Sequence, residues 1–124
     1  MVYSSTYKTV YNLILEQLLQ RLDLTRVNDE VYLEQQLQHV LKPFNNDFKE
    51  HYNRELEFDI SYDADKASLV LKAKNVLSTA CLFRSIEDIW EFYDPDDDVF
   101  DDGFLRVYEK DKKIYVIDYL GDDS

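Results

Sequence analysis

Aspartates crowd into one short stretch of this 124-residue sequence. Six of them fall within nine residues: Asp94, Asp96, Asp97, Asp98, Asp101 and Asp102. Carboxylates at alternate positions, as at the start of this stretch, are the first ligands of a helix–loop–helix calcium loop. Such a loop also needs glycine at its sixth position and glutamate at its twelfth, where this sequence has Val99 and Leu105. We therefore expect no dedicated calcium site here.

A second arrangement of acids and lysines could serve metal-dependent chemistry. Pro95-Asp96, followed by Asp111-Lys112-Lys113, matches the loose pattern of a large nuclease superfamily that gathers carboxylates and a lysine around Mg²⁺. The two groups are predicted at opposite ends of a strand, roughly 20 Å apart at about 3.3 Å per residue. One metal ion cannot be held across that distance, so the pattern does not predict a nuclease.

The other residue types that do chemistry are too sparse for catalysis. Two histidines, His39 and His51, and a single cysteine cannot form a zinc site or an internal disulfide. Cys81, beside Leu82 and Phe83, is expected to be a buried core thiol with no base to activate it. The sequence thus predicts a non-enzymatic protein with no cofactor and no metal.

The chain has a formal net charge of −12, and most of this charge lies towards the C-terminus. Residues 85–124 contain 14 acidic and 4 basic side chains, whereas residues 1–84 contain 12 and 10. So acidic a protein repels phosphate, which argues against direct binding of nucleic acid or of an anionic membrane. The aspartate-rich segment is then either a docking surface for a basic partner or a solvated loop that aids solubility.

The first half of the chain has the apolar spacing of helices. Residues 4–22 repeat apolar side chains at helical intervals and can be capped by Ser4 or Ser5. Asn28 is the expected N-cap of a second helix. Pro43 should kink that second helix or break it in two, because proline lacks a backbone N–H.

From Glu55 onward, apolar and polar residues alternate with the period of a strand. Pairing Tyr62 with Ala67, so that partner numbers sum to 129, places apolar residues on one face of a hairpin and opposite charges on the other. Residues 76–83 are either a third strand or the lead-in to a short helix. That helix is predicted from Ile86 to about Tyr93, capped by Ser85.

The last two strands, Phe104–Glu109 and Lys113–Leu120, are predicted to form a hairpin with two apolar faces. Pairing Tyr108 with Lys113, a sum of 221, puts ordinary core residues on one face. The other face is mostly aromatic: Phe104, Tyr108, Tyr115, Ile117 and Tyr119 beside Arg106. Either the first helix covers this face, or it is a contact patch for a partner or for a second copy of the chain.

These elements give the order α-α-β-β-(β)-α-β-β. Two N-terminal helices precede an antiparallel sheet of four to five strands, with one short helix between the strands. The predicted class is therefore α+β. We expect residues 1–124 to form a single domain with a frayed tail at 121–124.

A family resemblance is carried by Leu82-Phe83-Arg84-Ser85-Ile86-Glu87-Asp88-Ile89, by Val107-Tyr108 and by Tyr115-Val116-Ile117-Asp118-Tyr119. Strand, Glu-Asp helix and Tyr-rich hairpin follow in the order found in the second domain of MecA-type adaptors, which residues 82–120 resemble. Those adaptors deliver substrates to Clp unfoldases. The resemblance implies a polypeptide-binding adaptor, although the N-terminal 50 residues do not share it.

The composition and the patterns together predict a small acidic binding protein. We expect an inhibitor that occupies the basic, nucleic-acid-binding surface of a partner protein, in the manner of phage or mobile-element anti-defence proteins and of immunity proteins. The six aspartates would supply charge, and Phe104, Tyr108, Tyr115 and Tyr119 would supply contact area. A polypeptide-binding adaptor and a structural component of a larger assembly are the alternatives. With no apolar run of membrane length and no secretory leader in the sequence, the expected location is cytoplasmic.

Overall fold

The computed structural model describes residues 8–119, and it confirms the predicted α+β class. The helices are α1 (Val10–Arg21), α2 (Glu30–Tyr52), α3 (Val76–Ala80) and α4 (Ile86–Phe92), with a 3-10 turn at Leu24–Arg26. The strands are β1 (Phe58–Asp63), β2 (Ser68–Ala73), β3 (Tyr93–Asp94), β4 (Val99–Asp101), β5 (Leu105–Lys110) and β6 (Lys113–Asp118). They form two antiparallel sheets, β1-β2 and β3-β4-β5-β6. The predicted caps Ser4 and Ser5 and the predicted frayed tail at 121–124 lie outside the described residues.

Both N-terminal helices begin later than predicted, because other side chains cap them. The Asn12 N–H donates to Thr9 Oγ1 at 3.1 Å, and this cap starts α1 at Val10. Asp29, one residue after the predicted cap, accepts a hydrogen bond from the Tyr32 N–H at 3.2 Å and starts α2. For α2 the cap was therefore predicted correctly in kind and one residue too early.

The predicted break at Pro43 does not occur, and α2 runs unbroken for 23 residues. Proline cannot donate the helical hydrogen bond to the carbonyl four residues earlier, which belongs to His39. Pro43 and His39 are both exposed, so water can hydrate that carbonyl and the helix can continue past the missing bond.

Replacing Pro43 by alanine should raise the free energy of unfolding by about 1–2 kcal/mol. Alanine restores the N–H donor and removes the steric conflict of the ring, partly offset by the greater freedom of the unfolded chain. Urea unfolding measures the change, with Gln35→Ala at another exposed position of α2 as the control. An unchanged or lowered stability of Pro43→Ala would show that α2 bends to suit the proline.

The first hairpin pairs Asp63 with Ser68, so partner numbers sum to 131 and not to the predicted 129. A shift of two leaves every side chain on its predicted face, and Ile60 now lies opposite Leu71. The cause is the Asp63 carboxylate: its Oδ1 accepts the N–H of Asp65 at 3.0 Å, and this hydrogen bond shapes the turn that follows Asp63.

Residues 76–80 form the helix α3 and not a third strand. Asn75 caps this helix by accepting the Ser78 N–H at 2.9 Å, and all five helical residues are buried. α3 packs against β4 and β5 and so lies under the C-terminal sheet. The next helix, α4, begins after Ser85 as predicted.

The aspartate-rich segment, predicted as a loop, forms part of the four-stranded sheet. β3 pairs with β4, placing Tyr93 opposite Phe100, and β4 pairs with β5. Phe100 is fully buried and Tyr93 nearly so, hence these two apolar anchors hold the acidic segment on the core. Burial of alternate aromatic residues outweighs the weak strand preference of aspartate.

The second hairpin pairs Lys110 with Lys113, a sum of 223 and not the predicted 221. Its turn consists of only two residues, Asp111 and Lys112, with φ of 55° and 67°. Two-residue turns with positive φ at both positions match the right-handed twist of the strands they join. The shift of two again preserves the predicted faces, and it changes which residues are neighbours across the strands.

Candidate interaction surface on the C-terminal sheet

The solvent side of the four-stranded sheet carries the aromatic residues singled out in the sequence. Along β4, β5 and β6 the side chains alternate, with Phe100, Leu105 and Val107 buried in the core and their neighbours outward. We define the outer aromatic face as these outward residues: Phe104, Arg106, Tyr108, Tyr115, Ile117 and Tyr119. Phe104 is 57% exposed, Tyr115 40% and Tyr119 37%, so the face is open to solvent.

The first helix packs elsewhere and does not cover this face. The N–H groups of Val10 and Tyr11, at the start of α1, donate to the carbonyls of Arg84 at 3.1 Å and Cys81 at 3.0 Å. The rest of α1 packs on α2. The interpretation in which the first helix covers the aromatic residues is therefore wrong, and the contact patch stays a prediction.

Tyr108 and Tyr115 are direct cross-strand partners in the observed register, and they stack. Their ring centroids are 5.4 Å apart with an angle of 20° between the planes. The guanidinium of Arg106 lies 5.4 Å from the Tyr108 centroid, within the range of a cation–π contact. The predicted register would have placed Tyr108 opposite Lys113 instead. The result is an aromatic platform with few rotamers left to lose on binding.

Asp101 connects the aspartate-rich segment to the outer aromatic face. It pairs with Arg106 across β4 and β5, and its Oδ2 lies 3.4 Å from Arg106 Nη1. The Tyr119 hydroxyl donates to the same oxygen at 3.3 Å, and the Gly103 N–H donates to Oδ1 at 2.9 Å. Asp101 thus belongs to the surface, with its charge partly neutralised by arginine.

Residues 94–98, which we call the acidic turn, join β3 to β4. Asp94 Oδ1 accepts the N–H of Asp96 at 2.9 Å and that of Asp97 at 3.4 Å. Asp98 adopts a left-handed conformation with φ of 55° and accepts a hydrogen bond from the Tyr93 hydroxyl. Asp94 and Asp98 therefore shape the turn as well as charging it.

Two contacts with the helical layer fix the acidic turn in place. Arg54, just beyond the end of α2, donates from Nη2 to the carbonyl of Pro95 at 3.0 Å. Burial raises the pKa of Tyr93, and its hydrogen bond to Asp98 raises it further, so the hydroxyl stays protonated as a donor. The Tyr93 ring also meets Tyr52 of α2 edge to face at 5.0 Å.

Asp96 and Asp97 supply the free charge of the acidic turn. Both are exposed, and their carboxylates have no ion pair or hydrogen-bond donor among residues 8–119. The exposed Glu87 and Glu91 of α4 add two further negative charges to this part of the sequence. They were not among the predicted site residues. The stretch 85–102 contains nine acidic residues and no lysine or arginine, and that absence of bases could have identified them.

Asp102 is directed into the protein, and we remove it from the candidate surface. Its side chain is only 9% exposed, and its Oδ2 lies 2.6 Å from Nε of Arg84. The N–H groups of Phe104 and Leu105 donate to Oδ1 at 2.9 and 2.8 Å. Burial alone would raise the pKa of Asp102, but these hydrogen bonds and the arginine charge outweigh it and hold the pKa below 3.8.

The residue types that could support bond-making chemistry are not gathered at this surface. Cys81 is fully buried, as predicted, and burial raises the pKa of its thiol. Between Lys8 and Tyr119, no three His, Cys, Asp or Glu side chains are grouped so as to hold a metal ion. Likewise, none of the helices in this part of the chain is long and apolar enough to cross a membrane. The surface offers carboxylates for ion pairs and aromatic rings for packing contacts.

No protein-family model matches this chain, and neither a curated protein nor a solved structure matches it. The acidic turn and the outer aromatic face are therefore interpreted from their own chemistry.

Proposed function

We propose that the protein is a non-enzymatic, cytoplasmic inhibitor that occupies the basic, nucleic-acid-binding surface of a partner protein. The observation that carries this proposal is the continuity of the acidic turn with exposed aromatic residues. Asp94 pairs with Val99 across β3 and β4, and the β4–β5 register continued by one pair places Val99 opposite Tyr108. Charge and contact area thus belong to one side of one sheet.

The charge of this region suits a partner that normally binds phosphate. Nine acidic residues and no base between residues 85 and 102 produce a negative field that reaches beyond the contact surface. Lysines and arginines arranged for a nucleic-acid backbone meet carboxylates here in place of phosphates. Attraction of this kind accelerates association and selects against acidic competitors.

The outer aromatic face would then hold the complex together. Aromatic side chains are enriched among the residues that dominate binding energy, and they act best where their loss of freedom on binding is small. The stacked pair Tyr108 and Tyr115 meets that condition, and Phe104 is the most exposed aromatic residue of the face. Charge therefore raises the association rate constant, and aromatic contact lowers the dissociation rate constant.

A cytoplasmic location is part of the proposal. The one cysteine of the chain is a free, buried thiol, which is compatible with a reducing compartment. A partner that binds nucleic acid is also met in that compartment.

A polypeptide-binding adaptor is the second candidate, and one observation favours it. An open groove of about 470 Å³ lies between β2 and β6, and its lining is mostly apolar. Val70 and Val116, one from each strand, are 43% and 42% exposed there. In that function an apolar segment of the bound polypeptide would occupy the groove, and the acidity of this chain would serve only its solubility.

Neutralising the free charge of the acidic turn tests the leading proposal. Asp96→Asn combined with Asp97→Asn should weaken binding of the captured basic partner by about tenfold at low salt, because two unpaired surface charges are lost. The partner is isolated from host extract on the immobilised protein, and affinity is then measured by titration calorimetry. The protein should also displace nucleic acid from that partner.

The matched control is Asp65→Asn combined with Glu30→Gln, which removes two exposed acids outside the C-terminal sheet, one in the turn of the first hairpin and one at the start of α2. Both double variants have the same net charge, so a specific docking surface requires the first to lose far more affinity than the second. Wild-type affinity should fall steeply between about 50 and 500 mM salt. An equal loss in both variants, or an affinity insensitive to salt, would favour the adaptor function instead.

A further inference from the structure

A small cleft lies between α2 and α4, and it shares no residue with the outer aromatic face or the acidic turn. Within residues 8–119, its lining consists of Pro43, Phe44, Asp47, Phe48, Ile86 and Trp90. The volume of the cleft is about 170 Å³. Sites that enclose a whole small molecule are larger, about 300–1,000 Å³, so this cleft has the size to receive a single side chain.

The walls of the cleft are mostly apolar, and three of them are aromatic rings. Phe48 is fully buried, whereas Phe44 and Trp90 are only partly buried and so still offer ring surface to a ligand. The Trp90 ring is fixed by its packing on α2, because its centroid lies 5.0 Å from that of Phe48 and 4.9 Å from that of Tyr52. A ring held in this way loses little freedom when a side chain packs against it.

Asp47 is the one charged residue in this lining, and it is exposed to solvent. Among residues 8–119 its carboxylate has neither an ion pair nor a hydrogen-bond donor, and the residues three and four positions away on α2 include no lysine or arginine. His51 directs its Nδ1 to the backbone carbonyl of Asp47 at 2.9 Å and not to the carboxylate. The carboxylate is therefore available to a cation carried by a ligand.

The charges around the cleft also favour a cation. The two α4 residues that line it are four positions apart and so lie on one face of that helix. Glu87 and Glu91, each directly after one of them, are exposed on the adjoining face. The lysines in this part of α2, Lys42 and Lys49, line a separate groove on another face of the helix. An anion would therefore be repelled from the cleft, whereas a cation would be attracted.

We propose that the cleft between α2 and α4 binds a lysine side chain of another polypeptide. Lysine has a long apolar stem and a charged end, and it packs the stem on apolar surface while the charge stays in water. The cleft provides apolar walls for the stem and the Asp47 carboxylate for the ammonium group. The π electrons of a tryptophan ring such as that of Trp90 also attract a cation. A neutral side chain would leave Asp47 without a partner.

An NMR titration with a matched pair of ligands tests the proposal. The probes are N-acetyl-lysine methylamide and N-acetyl-norleucine methylamide, whose side chains share an apolar stem and differ in the terminal cation. Trp90 is the single tryptophan of the chain, so its indole N–H gives one resonance that reports on the cleft. We expect the lysine probe to shift this resonance with a dissociation constant of roughly 1–10 mM. The norleucine probe should bind at least about fivefold more weakly.

Asp47→Asn tests whether the carboxylate selects the cation. The lysine probe should bind this variant about fivefold more weakly than the wild type, and binding of the norleucine probe should not change. Glu30→Gln is the matched control, since it removes one exposed acid at the other end of α2, about 26 Å away at about 1.5 Å per residue. This control should bind the lysine probe as the wild type does.

Equal affinities of the wild type for the two probes would overturn the proposal, because the cleft would then accept any apolar side chain. So would an indole resonance that neither probe shifts, or an Asp47→Asn variant that keeps the affinity of the wild type for the lysine probe. The titrations involve neither the acidic turn nor the outer aromatic face. The lysine site and the proposed inhibitory function can therefore fail separately.

Discussion

Replacing Asp102 by alanine is expected to lower the free energy of unfolding by about 2–4 kcal/mol. The change leaves the Arg84 guanidinium without its carboxylate and two backbone donors, the N–H groups of Phe104 and Leu105, without an acceptor. Arg84 also accepts the Val10 N–H through its carbonyl, so the same residue joins the start of α1 to the corner between β4 and β5. Loss of the carboxylate therefore loosens two elements at once.

The pH dependence of stability provides an independent test of this role. The pKa of Asp102 in the folded state lies below the value of 3.8 expected for a free side chain. As pH falls, the unfolded state takes up the proton first, so the contribution of Asp102 is fully present above about pH 4 and is lost as pH falls further through the folded pKa. Asp102→Asn lacks this contribution, hence its stability should decline less steeply than that of the wild type below pH 4.

Urea unfolding at a series of pH values between about 7 and 2.5 measures both effects. Asp97→Asn is the matched control, since it changes an exposed aspartate five residues away whose carboxylate has no ion pair or hydrogen-bond donor within residues 8–119. Its stability at neutral pH should stay within about 0.5 kcal/mol of the wild type. If Asp102→Ala behaved in the same way as Asp97→Asn, the carboxylate would have to be a surface group.

The two hairpins show what an alternating pattern determines and what it leaves open. Alternation assigned every side chain of β5 and β6 to the correct face, and it also placed the apolar residues of the first hairpin correctly. It did not determine which residues are partners, because a shift of two preserves both faces. The turns determined the register. In the first hairpin the carboxylate of Asp63 shapes the turn, and in the second Asp111 and Lys112 adopt positive φ. Neither turn carries the Asn-Gly or Asp-Gly signature that marks a two-residue turn in sequence.

The candidate surface was predictable in part for the same reason. The outer aromatic face follows from alternation alone, whereas the stack of Tyr108 on Tyr115 depends on the register. The division of the six aspartates depends on tertiary contacts that no local pattern reveals. Asp102 meets Arg84 across 18 residues, and the acidic turn is held by Arg54 from across 41 residues. Charge counting therefore located the segment, and only the structure distinguishes its structural carboxylates from its free ones.

Truncating Phe104 to alanine should weaken partner binding by about 10- to 30-fold, because aromatic residues account for much of the binding energy of a contact patch. Phe104 is the most exposed residue of the outer aromatic face, so its truncation removes little from the core and should change the free energy of unfolding by less than about 0.5 kcal/mol. Titration calorimetry against the captured basic partner measures the affinity, and thermal unfolding measures the stability.

Leu24→Ala is the matched control for Phe104→Ala, because Leu24 is an even more exposed apolar residue (71% against 57%) in the 3-10 turn between α1 and α2. The two variants separate contact with the partner from a general loss of apolar surface. The loss caused by Phe104→Ala should also persist at high salt, where the contribution of Asp96 and Asp97 is screened. An affinity that drops only at low salt would assign recognition to the acidic turn alone, and an affinity equal to that of Leu24→Ala would place the contact away from the aromatic residues. We expect the affinity lost in Phe104→Ala to be independent of salt, and the affinity lost in Asp96→Asn with Asp97→Asn to be largest at low salt. Both results together are expected if charge attracts the partner to this sheet and aromatic packing retains it.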